Sequence, residues 1–177
     1  IPGDIMSLLK TMTIDGYMTP EEATEIYYAI APLNFQEIDL GREVQNFELV
    51  PPDADDIFSK VLNKRVSVQQ ENSGVFRFPS LFIHFDDFKT PDDWLFVVAL
   101  QDTTFNLFEH KSGAVSALEG YEFQYRNLFE WDLTVNYLLK PGQGIFFRPW
   151  LFHSFDGGLI QMFRLKEIHD AEVADEG

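Results

Sequence analysis

Between residues 66 and 165 the chain is cut into short runs rich in β-branched and aromatic residues, each bounded by turn residues. Residues 66–69, 75–78, 81–85, 94–100, 103–108, 121–125, 133–139, 145–148 and 159–165 all suit strands. Pro91-Asp92-Asp93, Lys111-Ser112-Gly113, Pro141-Gly142 and Asp156-Gly157-Gly158 suit the turns between them. Residues 94–100 are all apolar, as in a strand buried on both faces. Many short strands at near-even spacing predict a sandwich or a barrel.

Ahead of this region the period is helical. Thr19-Pro20-Glu21-Glu22 is a start signal: Thr19 can cap, Pro20 suits the first helical position, and Glu22 completes a capping box. Ala23, Ile26, Tyr27 and Ile30 then share one apolar face, and Pro32 ends the run. A second helix is expected at about 55–63, with Asp53, Asp55 and Asp56 at its positive end and Ile57, Phe58, Val61 and Leu62 as its apolar face. The expectation is one domain of 177 residues, mainly β with flanking α-helices. Residues 1–63 are read as mostly helical, 64–166 as the strand core, and 167–177 as an acidic tail.

Charge and cysteine content narrow the chemistry. The formal net charge is −16, which repels phosphate backbones, so no broad nucleic-acid surface is expected. There is no cysteine, which excludes disulfides, zinc–thiolate sites and cysteine nucleophiles. No apolar run is long enough to cross a bilayer, and Ile1-Pro2-Gly3-Asp4 lacks the layout of a secretory leader, so a cytoplasmic location is expected. No phosphate loop, dinucleotide fingerprint or serine-nucleophile motif is present.

The residues that carry chemistry are His84-Phe85-Asp86 and, much later, His153. Residues two apart in a strand point to one face, so His84 and Asp86 can address a single point. Two imidazoles and a carboxylate form a facial ligand set for iron(II), leaving positions open for other ligands. The same dipeptide spacing also suits an ordinary strand histidine paired with Asp86 or Asp87. His110 reads as a hairpin end and His169 as part of the acidic tail.

The stretch Leu138-Leu139-Lys140-Pro141-Gly142-Gln143-Gly144-Ile145-Phe146-Phe147-Arg148-Pro149-Trp150-Leu151-Phe152-His153 adds weight. A Pro-Gly turn leads into an apolar strand, a Pro-aromatic segment and then His. With His84 and Asp86 this layout resembles the jelly-roll iron(II)/2-oxoglutarate oxygenases, including their cupin-like JmjC-type branch. The resemblance covers about half the chain and extends to the helix that starts at Thr19. It implies a double-stranded β-helix (jelly-roll, cupin-like) fold. It also implies His84, Asp86 and His153 as iron(II) ligands and 2-oxoglutarate as cosubstrate. Arg164 follows His153 at about the interval where some branches place an Arg that holds the far carboxylate of 2-oxoglutarate. A guanidinium fork suits that task. Thr104, Tyr125 and Arg77 are weaker helpers for the same carboxylate. Two departures stand out. Gln143 occupies a turn position usually acidic in the family, and residues 100–105 hold Thr103 and Thr104 where the JmjC-type branch has a Lys.

The activity implied is that of an iron(II)- and 2-oxoglutarate-dependent dioxygenase, a hydroxylase of unknown primary substrate. A non-catalytic cupin-like module that binds a metal or small ligand is the alternative, and a purely structural domain is the third. A homodimer formed through an exposed strand edge stays open. The parity of Arg164 is also open: the glycine turn resets the alternation, and both faces of its strand are apolar.

Overall fold

The computed structural model describes residues 10–37, 43–45, 51–69, 73–77, 83–113, 124–125 and 128–169. Its architecture is two facing antiparallel sheets, a jelly roll, flanked by two helices. The strands are β1 (Thr11–Ile14), β2 (Gln36–Glu37), β3 (Glu43–Gln45), β4 (Val66–Val68), β5 (Gly74–Arg77), β6 (Ile83–His84), β7 (Trp94–Ala99), β8 (Thr103–His110), β9 (Gln124–Tyr125), β10 (Trp131–Leu139), β11 (Gly144–Phe147), β12 (His153–Asp156) and β13 (Leu159–Glu167). The larger sheet runs β1-β11-β7-β13-β5-β3-β2, with β4 also paired to β13. The smaller runs β10-β8-β12-β6-β9.

The helices start where the sequence signals them. Helix α1 (Pro20–Ile30) has the capping box: Glu22 N–H donates to Thr19 Oγ1 at 3.1 Å, and Thr19 N–H donates to Glu22 Oε1 at 3.4 Å. Its buried side, Ala23 and Ile30 with Ile26 and Tyr27 beside them, packs on Val75, Leu100 and Leu159. Helix α2 (Ala54–Leu62) ends at Asn63, whose φ of 52° closes the helix in the left-handed region. Its buried residues are Ala54, Phe58 and Leu62; Ile57 and Val61, expected on that face, are exposed. The helix therefore docks about one position round from the expected stripe. Side chains of α2 also hold β4: Asp55 Oδ1 accepts Val68 N–H at 2.8 Å, and Ser59 Oγ accepts Val66 N–H at 3.0 Å.

Among the described residues of 1–63, the part expected to be mostly helical, strands accompany the two helices. This part supplies β1, which pairs with β11, and β3, which pairs with β5. Such short segments gain strand conformation from the sheet edge they join, so their own sequence carries little signal. β12, which carries His153, is a strand beyond those expected from the sequence. Of the expected strands 81–85 and 121–125, only 83–85 and 124–125 lie within the described residues.

Alternation sorts the side chains into layers. Between the sheets lie Phe76, Leu95, Val97, Phe105, Leu107, Leu139, Ile145, Phe147, Phe155, Ile160 and Met162. The other face of the larger sheet, with Phe96, Val98, Phe146, Phe163 and Leu165, is covered by α2. β7 is buried at every position because it has both layers against it, which accounts for its apolar run. No described helix is long and apolar enough to cross a membrane.

Candidate metal centre

The two halves of the motif meet at a strand pairing. β12 lies between β8 and β6, and its register puts His153 opposite His84 on one side and Leu107 on the other. The two imidazole rings lie 4.4 Å apart between centroids. Asp86 follows β6 in a loop, where its N–H donates to Pro149 O at 2.8 Å. The chain is thereby pinned to the segment that leads into His153. All three side chains are buried, with 3%, 5% and 0% of their residues' surface exposed for His84, Asp86 and His153.

The donor atoms converge. His153 Nε2 lies 3.0 Å from Asp86 Oδ2, and His84 Nε2 lies 3.9 Å from Asp86 Oδ1. One donor from each of the three residues falls within 4.8 Å of the others. Two ligands each about 2.1 Å from one ion are at most about 4.2 Å apart, so both measured pairs already fit a shared first-row cation. His153 supplies a further test. Its Nδ1 lies 2.7 Å from Leu151 O, a carbonyl that can only accept, so Nδ1 carries the hydrogen. In the neutral imidazole that metal ligation requires, Nε2 presents a lone pair toward a carboxylate oxygen. It is buried and makes no hydrogen bond among the described residues. In that form two acceptors face each other at 3.0 Å, an arrangement that a cation between them satisfies. The residues present fit a divalent metal.

The walls are aromatic. The rings of Phe147, Phe155 and Phe105 lie 4.7, 5.8 and 6.1 Å from that of His153. They keep water from one side and hold the imidazole in place. No single-residue signal marks them, since every strand is rich in Phe. A second set of braces links the two ligand arms. Trp150 Nε1 donates to Pro91 O at 2.8 Å, and Arg148 Nη1 donates to Asp92 O at 2.8 Å. Asp93 folds the intervening turn by accepting Lys89 N–H at 2.8 Å. Arg148 is buried with its guanidinium carbon 3.5 Å from the Trp94 ring centroid. Burial pulls its pKa down to about 10, against the opposing pull of Asp92, Glu167 and Asp93. An Arg flanked by Phe147 and Pro149 was the available signal for this brace.

Arg164 resolves its parity on the strand. It pairs with Leu95 across β13 and β7, and it shares its face with Ile160 and Met162, which pack between the sheets. Arg164 therefore lies on the inner face. Its Nη1 donates to the carbonyl of Asp87, the residue after the Asp86 ligand.

The other named helpers fare differently. Thr104 alternates with Phe105, which faces inward, and pairs with Leu138 and Asp156. It therefore lies on the outer face of the smaller sheet, away from the centre, because its strand has period two. Arg77 is spoken for elsewhere, bonded to Glu43 at 3.0 Å and to Ala31 O at 3.0 Å. Tyr125 pairs with Ile83 through its backbone, and its side chain lies outside what the structure describes. His110 closes the hairpin end, with Nδ1 2.7 Å from Ser112 Oγ, and stays out of the cluster. Gln143, at the turn position usually acidic in the family, closes the Pro-Gly turn: its Oε1 accepts Lys140 N–H at 2.9 Å.

No family model matches the sequence, and no curated protein matches it significantly. Solved structures do match. HygX from Streptomyces hygroscopicus, with nickel, 2-oxoglutarate and hygromycin B bound, aligns at a TM-score of 0.56 and 12% identity, covering 92% of this chain and 84% of its own. SnoN, a non-haem α-ketoglutarate-dependent epimerase from nogalamycin biosynthesis, aligns at 0.59 and 14%, covering 88% and 75%. SnoN in complex with Fe3+, α-ketoglutarate and nogalamycin RO aligns at 0.54 and 13%. The chain has the jelly-roll fold of these 2-oxoglutarate-binding enzymes. At such identity the likeness establishes the fold, and the chemistry must come from the site.

Proposed function

We propose that this protein is an iron(II)- and 2-oxoglutarate-dependent oxygenase that hydroxylates its substrate. The observation that carries the reading is the buried convergence of His84, Asp86 and His153, with His153 Nε2 3.0 Å from Asp86 Oδ2. The HygX and SnoN structures, which hold 2-oxoglutarate on the same fold, support it. Iron(II) with 2-oxoglutarate supplies oxidation of a substrate C–H bond by dioxygen, with the cosubstrate converted to succinate and carbon dioxide.

The residues divide that work. His84, Asp86 and His153 would hold the ion. The Leu151 carbonyl holds His153 in the tautomer that ligates through Nε2. Arg164, on the inner face beside the ligand loop, pairs with the far carboxylate of the cosubstrate. Phe105, Phe147 and Phe155 shield the centre from water.

The test is thermal melting of metal-stripped protein with manganese(II), then with an unreactive 2-oxoglutarate analogue. Expected are a rise with metal and a further metal-dependent rise with the analogue, both lost in His153→Ala. At a hundredfold excess over its dissociation constant a ligand adds about 2.7 kcal/mol, or about 5–11 °C for a chain of this size. A metal response without an analogue response overturns the oxygenase in favour of a binding module. No response in folded protein removes the metal centre altogether. Product analysis then separates hydroxylation from epimerisation.

A further inference from the structure

Resting on that reading, we infer that Arg164 is also a positioning residue for the metal centre: it holds the Asp86 ligand loop through the Asp87 carbonyl, independently of any cosubstrate.

Residues 85–93 connect β6 to β7 without regular structure, yet they carry the only carboxylate of the cluster. A loop ligand is placed only as well as its backbone is held. Asp86 N–H is held by Pro149 O at 2.8 Å. The next carbonyl, that of Asp87, takes a charge-assisted hydrogen bond from Arg164 Nη1. The peptide units on either side of the Asp86–Asp87 link are thus gripped from two directions, by the His153 arm and by β13.

The base of this grip is itself fixed. Arg164 sits in mid-strand, paired to β7; its N–H donates to Ser73 Oγ at 3.2 Å, and its carbonyl accepts Gln69 N–H at 2.8 Å. One guanidinium corner is used on Asp87. The Nε–H is buried and makes no hydrogen bond among the described residues. Arg164 also lines a cavity of about 250 Å3 together with Gln69, Asp87, Lys89 and Lys166. A guanidinium has five donors in a rigid fork, so one corner can hold the loop while the other is left for an anion. The two duties separate chemically. Holding a carbonyl needs a single donor; gripping a carboxylate with two parallel bonds needs the fork.

That separation defines the experiment. Manganese(II) affinity is measured by the electron paramagnetic resonance of the unbound ion, with no 2-oxoglutarate present, in wild type, Arg164→Met and Arg164→Lys. Arg164→Met is expected to bind manganese about 10-fold or more weakly, the usual cost of losing a partner that orients a ligand. Arg164→Lys keeps a cationic donor, one bond shorter in reach, and is expected to recover most of that affinity. In the same Lys variant, 2-oxoglutarate binding to the manganese-loaded protein is expected to stay weak. Near-ultraviolet circular dichroism checks the fold, and Arg164→Gln is the second variant should methionine disturb it. Unchanged manganese affinity in the folded Met or Gln variant overturns the inference and leaves the proposed function intact. Wild-type protein that binds no manganese overturns both.

Discussion

Gly142 lies in the turn between β10 and β11 with φ of 92°, a conformation that costs an alanine about 1–2 kcal/mol. A Cβ placed there would sit 2.2 Å from Met18 O, just ahead of helix α1. Carbon and carbonyl oxygen normally approach to about 3.3 Å, so the turn and the helix entry must separate by about 1 Å. The turn is not free to do so: Gly142 N–H donates to Ala99 O at 2.8 Å, and Gly142 O accepts Met18 N–H at 3.3 Å. Forced overpacking of this kind adds about 1–3 kcal/mol. Gly142→Ala is therefore expected to cost about 2–5 kcal/mol, or about 4–20 °C in melting temperature. Gly113 is the internal control. Its φ is 69°, but a Cβ there meets nothing within 4 Å, so Gly113→Ala should lose only the backbone part, about 1–2 kcal/mol. Calorimetry of the two metal-free variants at one pH measures the difference. Equal losses would refute the claim that the approach of Met18, rather than the backbone angle alone, demands glycine. The turn lies at the opposite end of β11 from the His153 arm, so the folded Gly142→Ala variant should still bind manganese.

Two further predictions rest on particular side chains. Tyr17 packs against Phe58, Phe96 and Phe163, and burial, with Asp53 nearby, raises its phenol from 10.0 to about 12. A folded-state value above the unfolded one gives stability that is complete below about pH 10 and lost as pH rises toward 12. Arg148, lowered to about 10, acts in the opposite direction over the same range, so the test is a comparison: Tyr17→Phe should lose less stability than wild type between pH 9 and about 11 in urea melts. An identical pH dependence would show that Tyr17 ionises normally. Thr104→Val should leave stability within about 0.5 kcal/mol and leave cosubstrate affinity unchanged, since Thr104 lies on the outer face; weakened 2-oxoglutarate binding in calorimetric titration would contradict that placement.

Local patterns were enough for much of this molecule. The capping box at Thr19 and Glu22 acts within one helical turn, so the start of α1 could be read directly. The strands of the core could be read because aromatic and β-branched runs between turn residues have few other uses. His84, Asp86 and His153 could be named because chemistry demands those residue types, and the resemblance to a known layout tied together parts of the chain that lie far apart. Tertiary structure decided what depends on neighbours. β1 and β3 are strands because β11 and β5 offer them open edges. Ile57 and Val61 are exposed because the docking angle of α2 is set by the sheet beneath it. Thr104 turns outward and Arg164 inward through the registers β8–β12 and β13–β7; a shift of one residue in either pairing would reverse the outcome. Sequence thus names the groups able to hold a metal. Only the pairing of β6 with β12, made across a long stretch of chain, brings two imidazoles and a carboxylate to one buried point.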